Sequence, residues 1–260
     1  GLAIVKRLVA QETTVCSFSR QRHDQLDALD VERRQGDLAD EAAVREAVAG
    51  SDVVFHVAAK PGIWGPYEEY HQTNFIGTRN VIAACREHGV SRLVYTSSPS
   101  VVFDGRDMEG VDESIPYPSR FATHYPRTKA AAEQLVRTAN DERLGTVSLR
   151  PHLIWGPGDN HLLPRLVARA RAGQLRRIGR ARKLVDTVYI DNAAEAHLLA
   201  AEKLQPGAVV AGKVYFISQG EPVDVWEMIN RLLEAAVAPT VQRTIPMGVA
   251  LALAGGVGSV

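Results

Sequence analysis

Strand-like and helix-like segments alternate along this chain almost from end to end, and that alternation restricts the fold more than any other feature. Residues 13–20 (TTVCSFSR) read as a strand, residues 40–49 as a helix closed by Gly50, and residues 53–59 (VVFHVAA) as a near-continuous apolar strand. A long helix over 68–88 ends at Gly89 and is followed by a strand at 92–98 (RLVYTSS) and a Pro/Gly/Asp-rich loop over 99–122. Then come a helix at 123–139, a strand at 146–155, a helix near 161–172, a strand at 184–190, a helix at 192–203, a strand at 214–218 and a helix at 224–236. Apolar strands separated by helices of this length predict βαβ units, that is, a parallel sheet covered on both faces. Crossovers in such units are right-handed, and ligands sit outside the carboxyl ends of the strands. The expected fold is α/β, a Rossmann-type doubly wound sheet.

The ends refine this expectation. Gly1 leads directly into an amphipathic helix (Leu2, Ile4, Val5, Leu8, Val9), where the last glycine of a phosphate-binding G-x-x-G-x-x-G or G-x-G-x-x-G turn would fall. Such a turn belongs to a dinucleotide-binding unit, expected over 1–156, with 157–260 as a smaller substrate-binding portion interleaved with the last sheet strands. The chain closes on the apolar run IPMGVALALAGGVGSV. It reads as a piece of a longer protein, truncated at both ends, with the first strand and first glycines missing. The closing run, short and interrupted by glycines, reads as a core helix rather than a membrane anchor, and no integral membrane span is expected.

Lys and Arg balance Asp and Glu at 30 each, which removes nucleic acid as a bulk partner. Cys16 and Cys85 are scattered and suit a reducing cytoplasm, and the eight histidines show no ligand spacing, so no metal is expected.

The strand ends carry the candidate cofactor contacts. The first visible strand ends Phe18-Ser19-Arg20 with no acid to accept from a ribose 2′-hydroxyl, and an Arg there suits a 2′-phosphate. NADP is therefore expected, with NAD still compatible. Asp37, before Leu38, is either an acceptor for an adenine amino group or a turn residue leading a helix. Ala58 and Ala59 are small enough for close approach of a cofactor, and Lys60 adds a cation. Tyr125 and Lys129, four residues apart at a helix start with Thr123 as N-cap, can share one face and one pocket. An ammonium beside a phenol favours the ionised form, which predicts a lowered Tyr125 pKa and a proton donor usable near neutral pH. Ser98, or Ser97 if the register slips by one, ends a strand where a hydroxyl can hold a carbonyl against Tyr125.

Tyr125-x-x-x-Lys129, the YTSS run at 95–98, Gly36-Asp37-Leu38 and NFIGTRNV at 74–81 resemble the extended short-chain dehydrogenase/reductases. The resemblance is to the branch of 3β-hydroxysteroid dehydrogenases and nucleotide-sugar epimerases, and it covers essentially the whole chain. Within it, HVAAKPGIWGPYEEYHQTN, LRPHLIWGPGDN and VDTVYIDNAAEAH resemble the NADPH-dependent 2-alkyl-3-oxoalkanoate reductases of bacterial olefin synthesis. The resemblance implies proton relay by Tyr125, a ribose contact and tuning role for Lys129, and a carbonyl contact for Ser98. It also implies cofactor-proximal places for Asn74 and Pro151, and a homodimer through the helices at 68–88 and 123–139.

Three functions stand side by side on these residues. One is reduction of an apolar ketone, a 2-alkyl-3-oxoalkanoate, by NADPH. The second is an NAD-dependent sterol dehydrogenase or a nucleotide-sugar epimerase. The third is a silent NADP-binding regulator, against which the intact Tyr125, Lys129 and Ser98 argue. Eight basic residues from Arg165 to Lys183 read either as a carboxylate site or as a solvated basic face. Trp64 and Trp155 read either as acyl-pocket walls or as packing residues.

Overall fold

A computed structural model describes residues 1–159, 162–246 and 248. Most of the apolar C-terminal run lies outside the described residues. The chain forms two units: Gly1–His152 with Asp191–Ile217, and Leu153–Ile190 with Ser218–Val260. It crosses between them three times, with Asp191–Ile217 returning to the first unit.

The first unit is a Rossmann-like parallel sheet with helices. Its elements are α1 (Leu2–Ala10), β1 (Val15–Ser19), β2 (Val31–Gln35), α2 (Glu41–Val48), β3 (Val54–His56), α3 (Tyr67–Tyr70), α4 (Gly77–Glu87), β4 (Arg92–Thr96), α5 (His124–Thr138), β5 (Gly145–Pro151), α6 (Ile190–Lys203) and β6 (Val214–Ile217). β1 pairs parallel with β2, and four further strands pair parallel in the order β6-β5-β4-β3. Parallel strands buried on both faces read as near-continuous apolar runs. β4 does so with Leu93, Val94 and Tyr95, whereas β5, with all seven residues buried, sets Thr146, Ser148 and Arg150 between Val147 and Leu149.

Local chemistry sets the element ends. Asp40 accepts from the amides of Ala42 and Ala43 and so starts α2, while Gly50, at φ +77°, turns the chain after it. Gly36 is required by packing, because a Cβ there would lie 2.7 Å from the Phe18 ring.

The helix expected over 68–88 is interrupted: α3 passes into a π-helical stretch, His71–Ile76, before α4 resumes. A π turn accommodates one extra residue, and such bulges concentrate at functional sites. This one carries Asn74 inward, where it is 1% exposed.

In the second unit Leu153–Trp155 pairs parallel with Thr187–Tyr189, and Leu184–Val185 pairs antiparallel with Val223–Asp224. The single strand expected at 184–190 is thus two short strands broken at Asp186. Asp224 caps the helix Val225–Ala235 through the amides of Trp226 and Glu227. The Trp155 ring packs edge-on against Tyr189 at 5.0 Å. Arg165, Arg169 and Arg171 are exposed or part-exposed on their helix, as a solvated basic face would be. Among the described residues no helix is long and apolar enough to cross a membrane, and no cluster of His, Cys, Asp and Glu could hold a metal.

Candidate active site

The carboxyl end of β4 and the first turns of α5 bring the expected residues together. Pro126 falls in the first turn of α5, where amides have no intrahelical acceptor, so it starts the helix without breaking it. Thr123 occupies the N-cap position but its hydroxyl makes no cap hydrogen bond.

Tyr125, at the start of that helix, is half-buried. Ser98 lies close enough to the phenol to favour its ionised form, and the Ser98 Oγ accepts from the Ser100 amide at 3.2 Å and lies 2.9 Å from the Ser100 hydroxyl. Ser97 is not the alternative. Its amide donates to Leu149 O, extending the β4–β5 ladder, and its Oγ is buried without a hydrogen-bond partner.

One expectation is corrected. Burial raises the Tyr125 pKa above its ordinary value, opposed only in part by the nearby Ser98 hydroxyl, rather than Lys129 lowering it. The reason lies in where Lys129 points. Its ammonium donates to Thr96 O at 2.7 Å and sits 4.1 Å over the Tyr95 ring, with the residue 2% exposed. Burial pushes the Lys129 pKa down to about 7, and nearby Glu133 opposes the fall. The phenol is therefore held protonated at neutral pH.

The buried lysine has a measurable consequence. Its folded pKa, about 7, lies below the ordinary lysine value of 10.5, so between those values the unfolded chain holds a proton that the folded chain lacks. Across that window this group makes stability rise with pH. The Lys129→Met variant should melt above the parent at pH 6, by a few kcal/mol, since each tenfold change in the protonation equilibrium is worth about 1.4 kcal/mol. Thermal scans from pH 6 to 10 should show the gap closing; a gap independent of pH would contradict the assignment.

Asn74 is a clamp within the protein. Its Oδ1 accepts from the Lys60 amide at 2.7 Å, and its Nδ2 donates to Lys60 O at 3.2 Å and to Thr128 Oγ1 at 3.1 Å. The π turn thus ties the segment after β3 to the helix that carries Tyr125. Thr78 donates to Asn74 O, so His56 Nε2, 2.8 Å from the Thr78 hydroxyl, is the donor of that pair. His56, pushed down to about 3 by burial and by the Lys129 charge, stays neutral and serves structure.

The remaining candidates fall into two groups. Lys60 does not offer a free cation as expected, because its ammonium pairs with Glu69 at 2.6 Å. Leu38 is a core residue whose carbonyl accepts from Asn80, and Asp37 Oδ1 accepts from the Ala39 amide, which is the turn role. The Ser19 hydroxyl donates to Gln21 O, and Pro151 ends β5 buried. By contrast, Arg20 is exposed at the end of β1, 3.9 Å from Asp37. Ala58 and Ala59 present no bulk after β3, and Gly1 precedes α1 with nothing within 4 Å of an added Cβ. The first turn of α1 holds no acid, so its positive end is not neutralised. The open glycine, the small side chains, the exposed Arg20 guanidinium and the unneutralised start of α1 are compatible with a dinucleotide.

Sequence reasoning missed Glu133 and Arg150, which are 0% and 1% exposed at their side chains. Arg150 Nε and Nη2 donate to the two Glu133 oxygens at 3.0 and 2.5 Å, and the Tyr117 hydroxyl donates to Glu133 at 2.6 Å. Two signals were present: Glu133 lies four residues beyond Lys129, and Arg150 interrupts an otherwise uncharged strand.

The model of the 3-beta hydroxysteroid dehydrogenase/isomerase family matches residues 1–247. A 2-alkyl-3-oxoalkanoate reductase of Stenotrophomonas maltophilia is 53% identical over 247 residues, covering 94% of this chain and 75% of that protein. Its counterpart in Shewanella oneidensis is 48% identical over 261 residues, covering 97% of this chain and 67% of that protein. Among solved structures, a UDP-glucose 4-epimerase of Thermus thermophilus in complex with NAD superimposes with a TM-score of 0.77 at 26% identity. That likeness covers 94% of this chain and 82% of the epimerase.

Proposed function

Because the chain belongs to the 3-beta hydroxysteroid dehydrogenase/isomerase family, whose members are oxidoreductases of the short-chain dehydrogenase type, we propose that it reduces a 2-alkyl-3-oxoalkanoate to the 3-hydroxy acid with NADPH. The substrate class is taken from the two reductases to which it is about half identical. The observation that carries the chemistry is the Tyr125 phenol with Ser98 near it, on a helix whose next turn buries Lys129 against Thr96 O.

NADPH, when bound, supplies the hydride. The chain's own residues do the rest. The hydroxyls of Ser98 and Tyr125, near each other at the end of β4 and the start of α5, converge on one carbonyl oxygen. Tyr125, kept protonated by burial, donates its proton as that oxygen gains charge. Lys129, anchored at Thr96 O, offers a donor to a ribose hydroxyl. Gly1, Ala58 and Ala59 give room, and Arg20 meets the 2′-phosphate. Cys16 and Cys85, both free thiols, support a reducing cytoplasm. A homodimer through the helices that carry Asn74 and Tyr125 belongs to the same proposal.

Oxidation of NADPH and of NADH, each with a 2-alkyl-3-oxo acid, a 3-ketosteroid and a UDP-sugar, tests the proposal. Turnover is expected with NADPH and the oxo acid; turnover confined to the steroid or the sugar would overturn it. Within the same assay, Arg20→Ala should lower kcat/KM for NADPH by roughly 10- to 100-fold, the size of a lost charge-assisted contact. NADH should be nearly indifferent, and equal losses with both cofactors would remove Arg20 from phosphate recognition.

A further inference from the structure

Ile63 and Trp64 are 64% and 89% exposed, adjacent, and apolar. Their loop is not loose. Gly62 and Gly65 flank them at φ +121° and +135°, a region that side-chain-bearing residues avoid. An added Cβ at Gly62 would lie 3.1 Å from the Tyr70 hydroxyl, so the glycine also admits Tyr70 at close range. That hydroxyl, on a residue 1% exposed, donates to Trp64 O at 2.8 Å. Before the loop, both backbone groups of Lys60 are held by Asn74. The backbone is therefore built, and it presents two apolar side chains to solvent.

The loop is also placed relative to the phenol. The rings of Tyr67 and Tyr70 lie 5.5 and 6.2 Å from His124, which immediately precedes Tyr125, and the Arg127 guanidinium stacks 4.9 Å from the Tyr67 ring. Asn74 bonds Thr128 in the next turn. Loop and catalytic helix thus share one rigid frame. We infer that Ile63 and Trp64 receive the alkyl tail of the substrate whose carbonyl is held at Ser98 and Tyr125, and so set chain-length preference; this rests on the reductase reading above.

The occupant follows from size and charge. Two side chains bordered by Lys60, Glu68 and Glu69 are far too small a patch for a protein partner, which needs roughly 800 Å² on each side. Glu68 beside them is acidic and the Lys60 cation is already paired with Glu69, which disfavours an anionic lipid surface. An alkyl chain tethered by its own ketone needs only a small apolar contact.

The test compares 2-hexyl-3-oxodecanoate with 2-methyl-3-oxobutanoate in NADPH oxidation by the parent chain, Trp64→Ser, Trp64→Phe and Ile63→Ser. For the long substrate, Trp64→Ser should raise KM roughly 10- to 100-fold, and Ile63→Ser by roughly 3- to 10-fold. Trp64→Phe should stay near the parent, and kcat/KM for the short substrate should be unchanged throughout. Unchanged KM for the long substrate in Trp64→Ser overturns the inference. So does an equal loss with both substrates, which would mean that the loop merely supports the Tyr125 turn. Vesicle binding by the parent, lost in Trp64→Ser with KM unaltered, overturns it in favour of a lipid surface. Turnover of neither substrate by the parent overturns the reductase reading, and the inference with it.

Discussion

Replacing Tyr125 with Phe should lower the rate of ketone reduction by about 10²- to 10⁴-fold, the usual weight of a positioned general acid, while leaving the melting temperature nearly unchanged. The two halves of that expectation have separate causes. The rate falls because the phenol oxygen is the proton source and phenylalanine has none to give. The fold survives because Tyr125 is only half-buried and Ser98 keeps Ser100 as a partner. The pH profile gives a second reading. Burial holds the phenol above its ordinary pKa, so the acid form persists through neutral pH and reduction should decline only on the alkaline side. Steady-state rates over pH 6 to 11, with circular dichroism melts of both proteins, check each part. A Phe variant within a few-fold of parent turnover would remove Tyr125 from the proton path.

The pattern of strands and helices was legible because parallel sheets write themselves into sequence as apolar runs spaced by helices. Tyr125 and Lys129 were legible for a similar reason: four residues on a helix is a local geometry. What was not legible is everything decided across space. The direction of the Tyr125 pKa is set by its burial, against the opposing Ser98 27 positions earlier, whereas the sequence offered only the neighbouring charge. Lys129 donates to Thr96 O, a backbone acceptor 33 positions away at the end of β4 that no local pattern marks. Lys60 looked like a phosphate contact until Glu69, one strand end and half a helix away, neutralised it. The π turn at His71–Ile76 has no compositional mark, since one inserted residue changes the hydrogen-bond ladder and not the amino-acid types.

The same limit hid Glu133 and Arg150, and they carry the second large expected effect. Removing either charge alone, by Glu133→Leu or Arg150→Met, should destabilise the first unit by about 3–5 kcal/mol. A buried guanidinium or carboxylate left without its partner keeps its full desolvation penalty and loses the attraction that offset it. Arg150 is the more exposed to this, because its Nη1 already lacks a hydrogen-bond partner within the core. The double variant should regain most of the loss, since a well-packed apolar pair avoids desolvating two charges. Urea unfolding of the four proteins, parent included, gives the coupling energy from the cycle; additive losses would mean that the pair does not act as a unit. The cycle also bears on the active site. Glu133 favours the charged form of Lys129 on the adjacent turn, so its loss should move that ammonium further below about 7. The double variant, though refolded, should therefore lose activity at neutral pH and recover part of it as the pH is lowered, a dependence that a purely structural ion pair would not produce.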